Sequence, residues 1–233
     1  MAIASAYIAN LGKYNEGELV GGWIDLPATD EELKAFLKDT VGINEQYEEF
    51  AIHDWESDYI EYPGEYASIW QVNNQAEKLD ELDEDELKVF KAASEIFDVD
   101  IDDFDAGDYW LIECDSDSDL AYEYIESIGD IENAVSHPEY YIDEEKLRRD
   151  LYYDEESYFR EEYEDEHGED YDEDEFEREF DSYLDGLIDD IVESPSTYLG
   201  ENVTAYFDYD QFGRDLALEA DGGWCDDGFI WKM

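Results

Sequence analysis

The sequence predicts an α+β protein with acidic surface helices and a duplication in its second half. Three observations carry that reading. The first 60 or so residues alternate strand-like runs with one clearly punctuated helix. Later segments repeat apolar residues at three- and four-residue steps beneath a large excess of acid. An eleven-residue pattern also occurs twice, beginning at Tyr141 and again at Tyr206.

In chain order, "SAYIANL" and "ELVGGWIDLP" read as strands, and "GKYNEGE" between them carries turn residues. "ATDEELKAFLKDTVG" reads as a helix. Thr29 and Glu32 have capping-box spacing, Leu33, Phe36 and Leu37 form one apolar face, and Gly42 can end it. "EEFAIHDW" follows as a strand, and Pro63-Gly64 marks a boundary. "ASIWQVNNQAEKL" and "DEDELKVFKAASEIF" read as helices, "DYWLIECD" as a buried strand and "DLAYEYIESIG" as a helix.

The second half repeats itself. "YIDEEKLRRDL" (141–151) matches "YFDYDQFGRDL" (206–216), so Tyr141, Asp143, Arg149, Asp150 and Leu151 recur as Tyr206, Asp208, Arg214, Asp215 and Leu216. Each copy follows an acidic amphipathic segment and a loop containing Pro. This predicts a duplicated unit of about 65 residues rather than a solenoid, which needs more copies. Tyr141 and Tyr206 are expected to pack against their own helices. Arg149 and Arg214, rare cations at matched positions, are expected to pair with neighbouring carboxylates. Between the copies, Phe176, Phe180, Leu184, Leu187, Ile188 and Ile191 form a helical stripe. Phe159 and Tyr163 suggest a shorter helix that His167-Gly168 separates from it.

Charge narrows the function. The 233 residues include 71 Asp plus Glu and 13 Lys plus Arg, a net charge of −58. Self-repulsion on that scale loosens a compact state, so stability is not its purpose. It excludes nucleic acid as a direct partner and points to a basic partner, a cation or solubility. The charge equals that of roughly 29 base pairs of duplex at one charge per ~1.7 Å of axis. Hydrophobic residues still make up 43% of the chain and aromatics 16%, which favours a folded chain with an acidic skin over disorder.

Other chemistries lack their signatures. Cys114 and Cys225 are far apart and in no metal-like spacing, which fits a reducing compartment. Residues 1–12 lack a basic n-region and a long apolar core, and no apolar run approaches ~18 residues, so neither a signal peptide nor a membrane span is expected. "DSDSD" at 115–119 alternates like a calcium loop, with Glu126 at the twelfth position. Leu120 stands at the sixth, where the loop requires Gly. "DVDIDD" at 98–103 fails likewise, with Asp103 at the sixth position and Tyr109 at the twelfth. His53, His137 and His167 are scattered, and no phosphate loop, nucleophile elbow or zinc-protease motif is present. Carboxylate pairs are too abundant for any one to mark a catalytic dyad. No catalytic residues, cofactor or metal are therefore expected. The tyrosines and tryptophans read as core and interface, because without basic residues a stacking platform for nucleic acid is opposed electrostatically.

"YIANLGKYNEGELVGGWIDLP" and "YEEFAIHDWE", and further on "YIDEEKLRRDL" and "YFDYDQFGRDL" with the terminal "GGWCDDGFIW", resemble the ArdA antirestriction family. The likeness is close from Tyr7 through Glu56, weak in the middle, and resumes at the repeats, more faithfully at the second. It implies an elongated protein of three small domains in a row. These are an N-terminal α+β domain (1–63), a helical middle (64–103) and a C-terminal α+β domain (104–233), the last enlarged by two related units at about 104–151 and 164–216. The resemblance further implies a homodimer formed through the third domain, acting in the cytoplasm of a bacterial host. It implies a DNA mimic from phages or other mobile elements that occupies the basic DNA-binding groove of type I restriction–modification enzymes.

Two segments, about 121–143 and 183–208, compete for the family's antirestriction motif. The mimic surface is expected to use Asp115, Asp117, Asp119, Glu123, Glu126, Asp130 and Glu132 in the first unit. In the second it is expected to use Glu169, Asp172, Glu173, Glu177, Asp181, Asp185, Asp189, Asp190 and Glu193. Because the family chain is shorter by about one repeat unit, a different target is also considered: a CRISPR nuclease or another defence complex. A more distant alternative is an acidic cation-binding or histone-chaperone-like protein.

Overall fold

A computed structural model describes residues 2–168 and 170–233, with the backbone alone for Glu201. The chain is mixed α and β. It packs as two compact units: residues up to Leu111 together with Trp224–Met233, and Ile112–Gly223.

In the first unit β1 (Ala4–Asn10) is the middle strand of an antiparallel sheet. A short helix α1 (Leu11–Asn15) leads to β2 (Gly21–Leu26) on one side, and α2 (Asp30–Asp39) leads to β3 (Phe50–Ser57) on the other. Ala6 faces Ile24 and Trp55 across the sheet. The segment "GKYNEGE", expected as a turn, does turn at Glu16 and Gly17, whose φ is +88°, but residues 12–15 belong to α1. The reason is Asn10, which is fully buried: its Oδ1 accepts from the Lys13 N–H at 3.0 Å and caps the helix, while its amide donates to the Val41 carbonyl at 3.1 Å.

Helix α2 starts where its local code places it. Thr29 Oγ1 accepts from the Glu32 N–H, and Glu32 Oε2 accepts from the Thr29 N–H at 2.8 Å. The Thr29 hydroxyl and backbone N–H hold the Glu32 carboxyl below the usual carboxylate range. Gly42 takes the left-handed φ of +75° just past the helix end.

Pro63 and Gly64 lie in the connection after β3, where Gly64 takes a φ of +99°, and the helices beyond it complete the same core. Ile69, Val72, Ala76 and Leu79 of α3 (Ile69–Asp80) and Phe90 of α4 (Glu84–Phe97) are buried with Ile8, Leu33 and Ile52. A second sheet has the order β4-β6-β5, built from β4 (Tyr109–Ile112), β5 (Gly222–Cys225) and β6 (Gly228–Lys232). The strand expected as buried, β4, is thus an edge strand with its two middle residues half-buried.

The second unit is helical: α5 (Asp117–Ile128), α6 (Ile131–Ala134), α7 (Glu144–His167), α8 (Glu173–Glu193), α9 (Pro195–Leu199) and α10 (Tyr209–Glu219). The expected stripe on α8 is its core face, with Phe176, Phe180, Leu184, Ile188 and Ile191 buried. One expectation is corrected. The first repeat and the helix around Phe159 are a single helix of 24 residues, α7, because nothing between Leu151 and Tyr163 breaks the i→i+4 ladder. It stops at Gly168, whose φ is +83°.

The repeats are also not packed as two self-contained pieces. Ile142 and Phe207 form an antiparallel bridge. Tyr141 and Tyr206 do not pack on their own helices. The Tyr141 hydroxyl donates to Asp215 at 3.2 Å, and the Tyr206 hydroxyl donates to Asp150 at 3.1 Å, each reaching the other copy. A phenol can span to a helix laid beside it, whereas the matching Asp of each tyrosine's own helix lies nine residues further along the chain, about 13 Å up the helix axis.

Candidate acidic interface

The candidate site is a carboxylate surface on α5, α7 and α8. Each helix is fixed from beneath by apolar residues. Leu120, Ala121 and Ile125 anchor α5. Tyr163 and Phe159 of α7 pack on Phe176 and Phe180 of α8, with ring centroids 5.2–5.7 Å apart for Phe159 against each phenylalanine and 5.4 Å for Tyr163 against Phe176.

The charge opposes this arrangement. On α8, Asp181, Asp185, Asp189 and Glu193 lie four residues apart in one outward row. Successive members rise about 6 Å along the helix axis. Each like-charge step costs about 0.2–0.5 kcal/mol. Burying five large side chains of the stripe on the opposite face stabilises at about 1.5–3 kcal/mol each, which outweighs it.

The scarce cations sit where they tie helices together. Arg148 of α7 reaches Asp181 at 3.4 Å and also pairs with Asp185. Arg160 of α7 bonds Glu156 and Glu173 at 3.0 Å and the Tyr171 hydroxyl at 2.6 Å, with its guanidinium 4.1 Å from the Phe176 ring centroid. The Glu156 carboxylate, with Glu173, holds that guanidinium more firmly in its charged form. Arg149 and Arg214 pair as expected with neighbouring carboxylates, Asp150 at 3.5 Å and Asp210 at 2.5 Å.

The expected surface residues divide into two sets. Seven have structural partners. Asp130 and Asp172 are helix N-caps, accepting from Asn133 N–H at 2.8 Å and Asp174 N–H at 2.9 Å. Glu132 accepts from the Ser196 N–H at 2.7 Å. Asp117 lies 3.9 Å from Arg214, and Glu173, Asp181 and Asp185 pair with Arg160 or Arg148. Eight others, Asp115, Asp119, Glu123, Glu126, Glu177, Asp189, Asp190 and Glu193, have no hydrogen-bonded or ion-paired side chain among the described residues. All eight are exposed except Glu177, which is half-buried. Glu169 lies outside the described residues.

The "DSDSD" alternation has a helical explanation. Ser116 caps α5 by accepting from the Asp119 N–H at 3.2 Å. Among the described residues no group of three or more His, Cys, Asp or Glu side chains converges as a metal set, and no helix is long and apolar enough to cross a membrane.

The residues named for the mimic surface leave out the outer face of α7. Asp154, Glu161, Glu162, Glu164, Asp165 and Glu166 are all exposed there. Their signal was available, because Phe159 and Tyr163 at four-residue spacing orient the helix and leave these positions outside.

The model of the antirestriction protein (ArdA) family matches residues 6–165. The chain belongs to the ArdA antirestriction family. The matched range spans the middle of the chain as well as its N-terminal part. It contains the first repeat copy and the segment 121–143, and it ends before the second copy and the segment 183–208. No curated protein matches the chain.

Proposed function

We propose that this protein blocks DNA-binding defence enzymes, foremost type I restriction–modification complexes, by occupying their DNA-binding groove as a mimic of DNA. It does so without chemistry of its own. The carrying observation is the unpaired carboxylates held on rigid helices whose apolar faces are buried, in a chain of the antirestriction family. Carboxylates fixed in this way meet the Lys and Arg side chains that otherwise track phosphates, and they lose little freedom on binding. Association is steered by charge and weakens as salt screens it, the Debye length falling from ~30 Å at 0.01 M to ~10 Å at 0.1 M.

The test is displacement of labelled duplex from a type I restriction–modification complex at two salt concentrations. Displacement that weakens with salt is expected. A protein that leaves the duplex bound at both concentrations overturns the reading. Neutralising Asp119, Glu123, Glu126, Asp189, Asp190 and Glu193 to Asn or Gln is expected to weaken displacement without unfolding the chain, since none has a side-chain partner among the described residues.

One observation favours a second target. Helix α8 and the second repeat copy lie beyond the family match and extend the acidic surface. Another DNA-binding defence complex, such as a CRISPR nuclease, is the alternative. Co-purification with host nucleases separates the two.

A further inference from the structure

The second unit is built from two copies of one module that face each other. At an offset of 65, α5 corresponds to the C-terminal part of α8, and α6 to α9. The 3-10 turn at Pro138–Tyr140 corresponds to the end of Gly200–Ala205, Ile142 to Phe207, and the start of α7 to α10.

The contacts between the copies are reciprocal. Asp143 N–H donates to the Tyr206 carbonyl at 2.9 Å, and Asp208 N–H to the Tyr141 carbonyl at 2.7 Å. Tyr141 reaches Asp215 as Tyr206 reaches Asp150. Helix α5 packs on α10 of the other copy, and α8 packs on α7. Residue i touching j while j touches i is the signature of an isologous two-fold interface, which normally joins two identical chains.

We propose that this module carries a self-complementary pairing surface and that the chain closes it internally, so that the protein is a single-chain pseudodimer. The homodimer implied by the family resemblance is then replaced, at this surface, by the second copy of the module. Ile142 and Phe207 at the bridge are both buried, so the surface is not open to a second chain. The inference is independent of the DNA-mimic reading.

Two measurements on the full chain test it. Light scattering of the wild-type protein over a wide concentration range is expected to give the monomer mass of 27.2 kDa. A concentration-dependent dimer overturns the proposal. The second measurement is oxidation of Ile142→Cys/Phe207→Cys in a Cys114→Ser/Cys225→Ser background. The bridge is a non-hydrogen-bonded antiparallel pair, with close Cα atoms at a separation a disulfide spans. Closure within one chain, with no doubled mass on a non-reducing gel, is expected. Disulfide-linked pairs of chains overturn the proposal. If the cysteine variant does not fold, the wild-type mass still decides.

Discussion

Helix α10 crosses α5 at Gly213, whereas at the equivalent place α7 meets α8 with Arg148. A Cβ on Gly213 would overlap the Asp117 carbonyl oxygen, so these helices touch backbone to backbone. Arg148 instead reaches across to Asp181 and Asp185. The α7/α8 pair also continues past the symmetric part. Residues 155–167 of α7 and 173–181 of α8 have no α-helical counterpart in the other pair, and they carry all four of Phe159, Tyr163, Phe176 and Phe180. One module can therefore be closed by small-residue approach or by long side chains with an aromatic extension. The second solution also adds a large share of the outward carboxylates.

The largest effect expected from breaking one side of this comparison is at Phe180. Phe180→Ala removes a fully buried ring from the extension and is expected to cost about 3–5 kcal/mol in urea unfolding. A loss below about 1 kcal/mol would mean the aromatic cluster does not hold α7 to α8. On the other side, Gly213→Ala is expected to cost about 1–3 kcal/mol, toward the upper end because the obstacle is backbone. A neutral result would show that α5 and α10 can part without penalty.

The tyrosine pair sharpens the symmetric element. Tyr141→Phe and Tyr206→Phe are each expected to cost about 1 kcal/mol and to agree within about 0.5 kcal/mol. Unequal losses would show that the two halves of the interface are not equivalent.

Burial first, and then the facing Asp215 or Asp150 carboxylate, raises both phenol pKa values above the ordinary ~10. The folded state therefore holds these protons more tightly. The associated stability is fully present below pH ~10 and is lost as pH rises through the folded values. Thermal unfolding followed by circular dichroism should show an alkaline decline that is shallower in the Tyr141→Phe/Tyr206→Phe double variant. The smallest effect is expected for Arg148→Ala. Its pairs are exposed, so it should cost about 0.2–1 kcal/mol, less in high salt.

Legibility in the sequence followed the range of the interaction. Thr29 and Glu32 announced α2 because both partners of the capping box lie within one turn. Phe176 through Ile191 announced α8 because the stripe is set by helical spacing alone. The matched residues around Tyr141 and Tyr206 revealed the duplication. The candidate surface was legible only in part. Asp130 and Asp172 looked like surface charge and are caps, a role their place just before a helix already hinted at. Asp181 and Asp185 looked open and are held by Arg148, some 30 residues earlier in the chain. No local pattern exposes that.

By itself, then, the sequence determined the α+β class, the bounds of most helices and strands, the duplication, the acidic character and the likeness to the antirestriction family. These depend on neighbours within a few residues, on total charge or on repeated residue order. Only the tertiary structure decided that the two copies pair reciprocally. It alone decided that Tyr141 serves Asp215 rather than its own helix, that Gly213 is a point of backbone contact, and which carboxylates remain unpaired. Those outcomes require residues distant in the chain to be brought within hydrogen-bond or van der Waals distance, and periodicity along the chain carries no record of that distance.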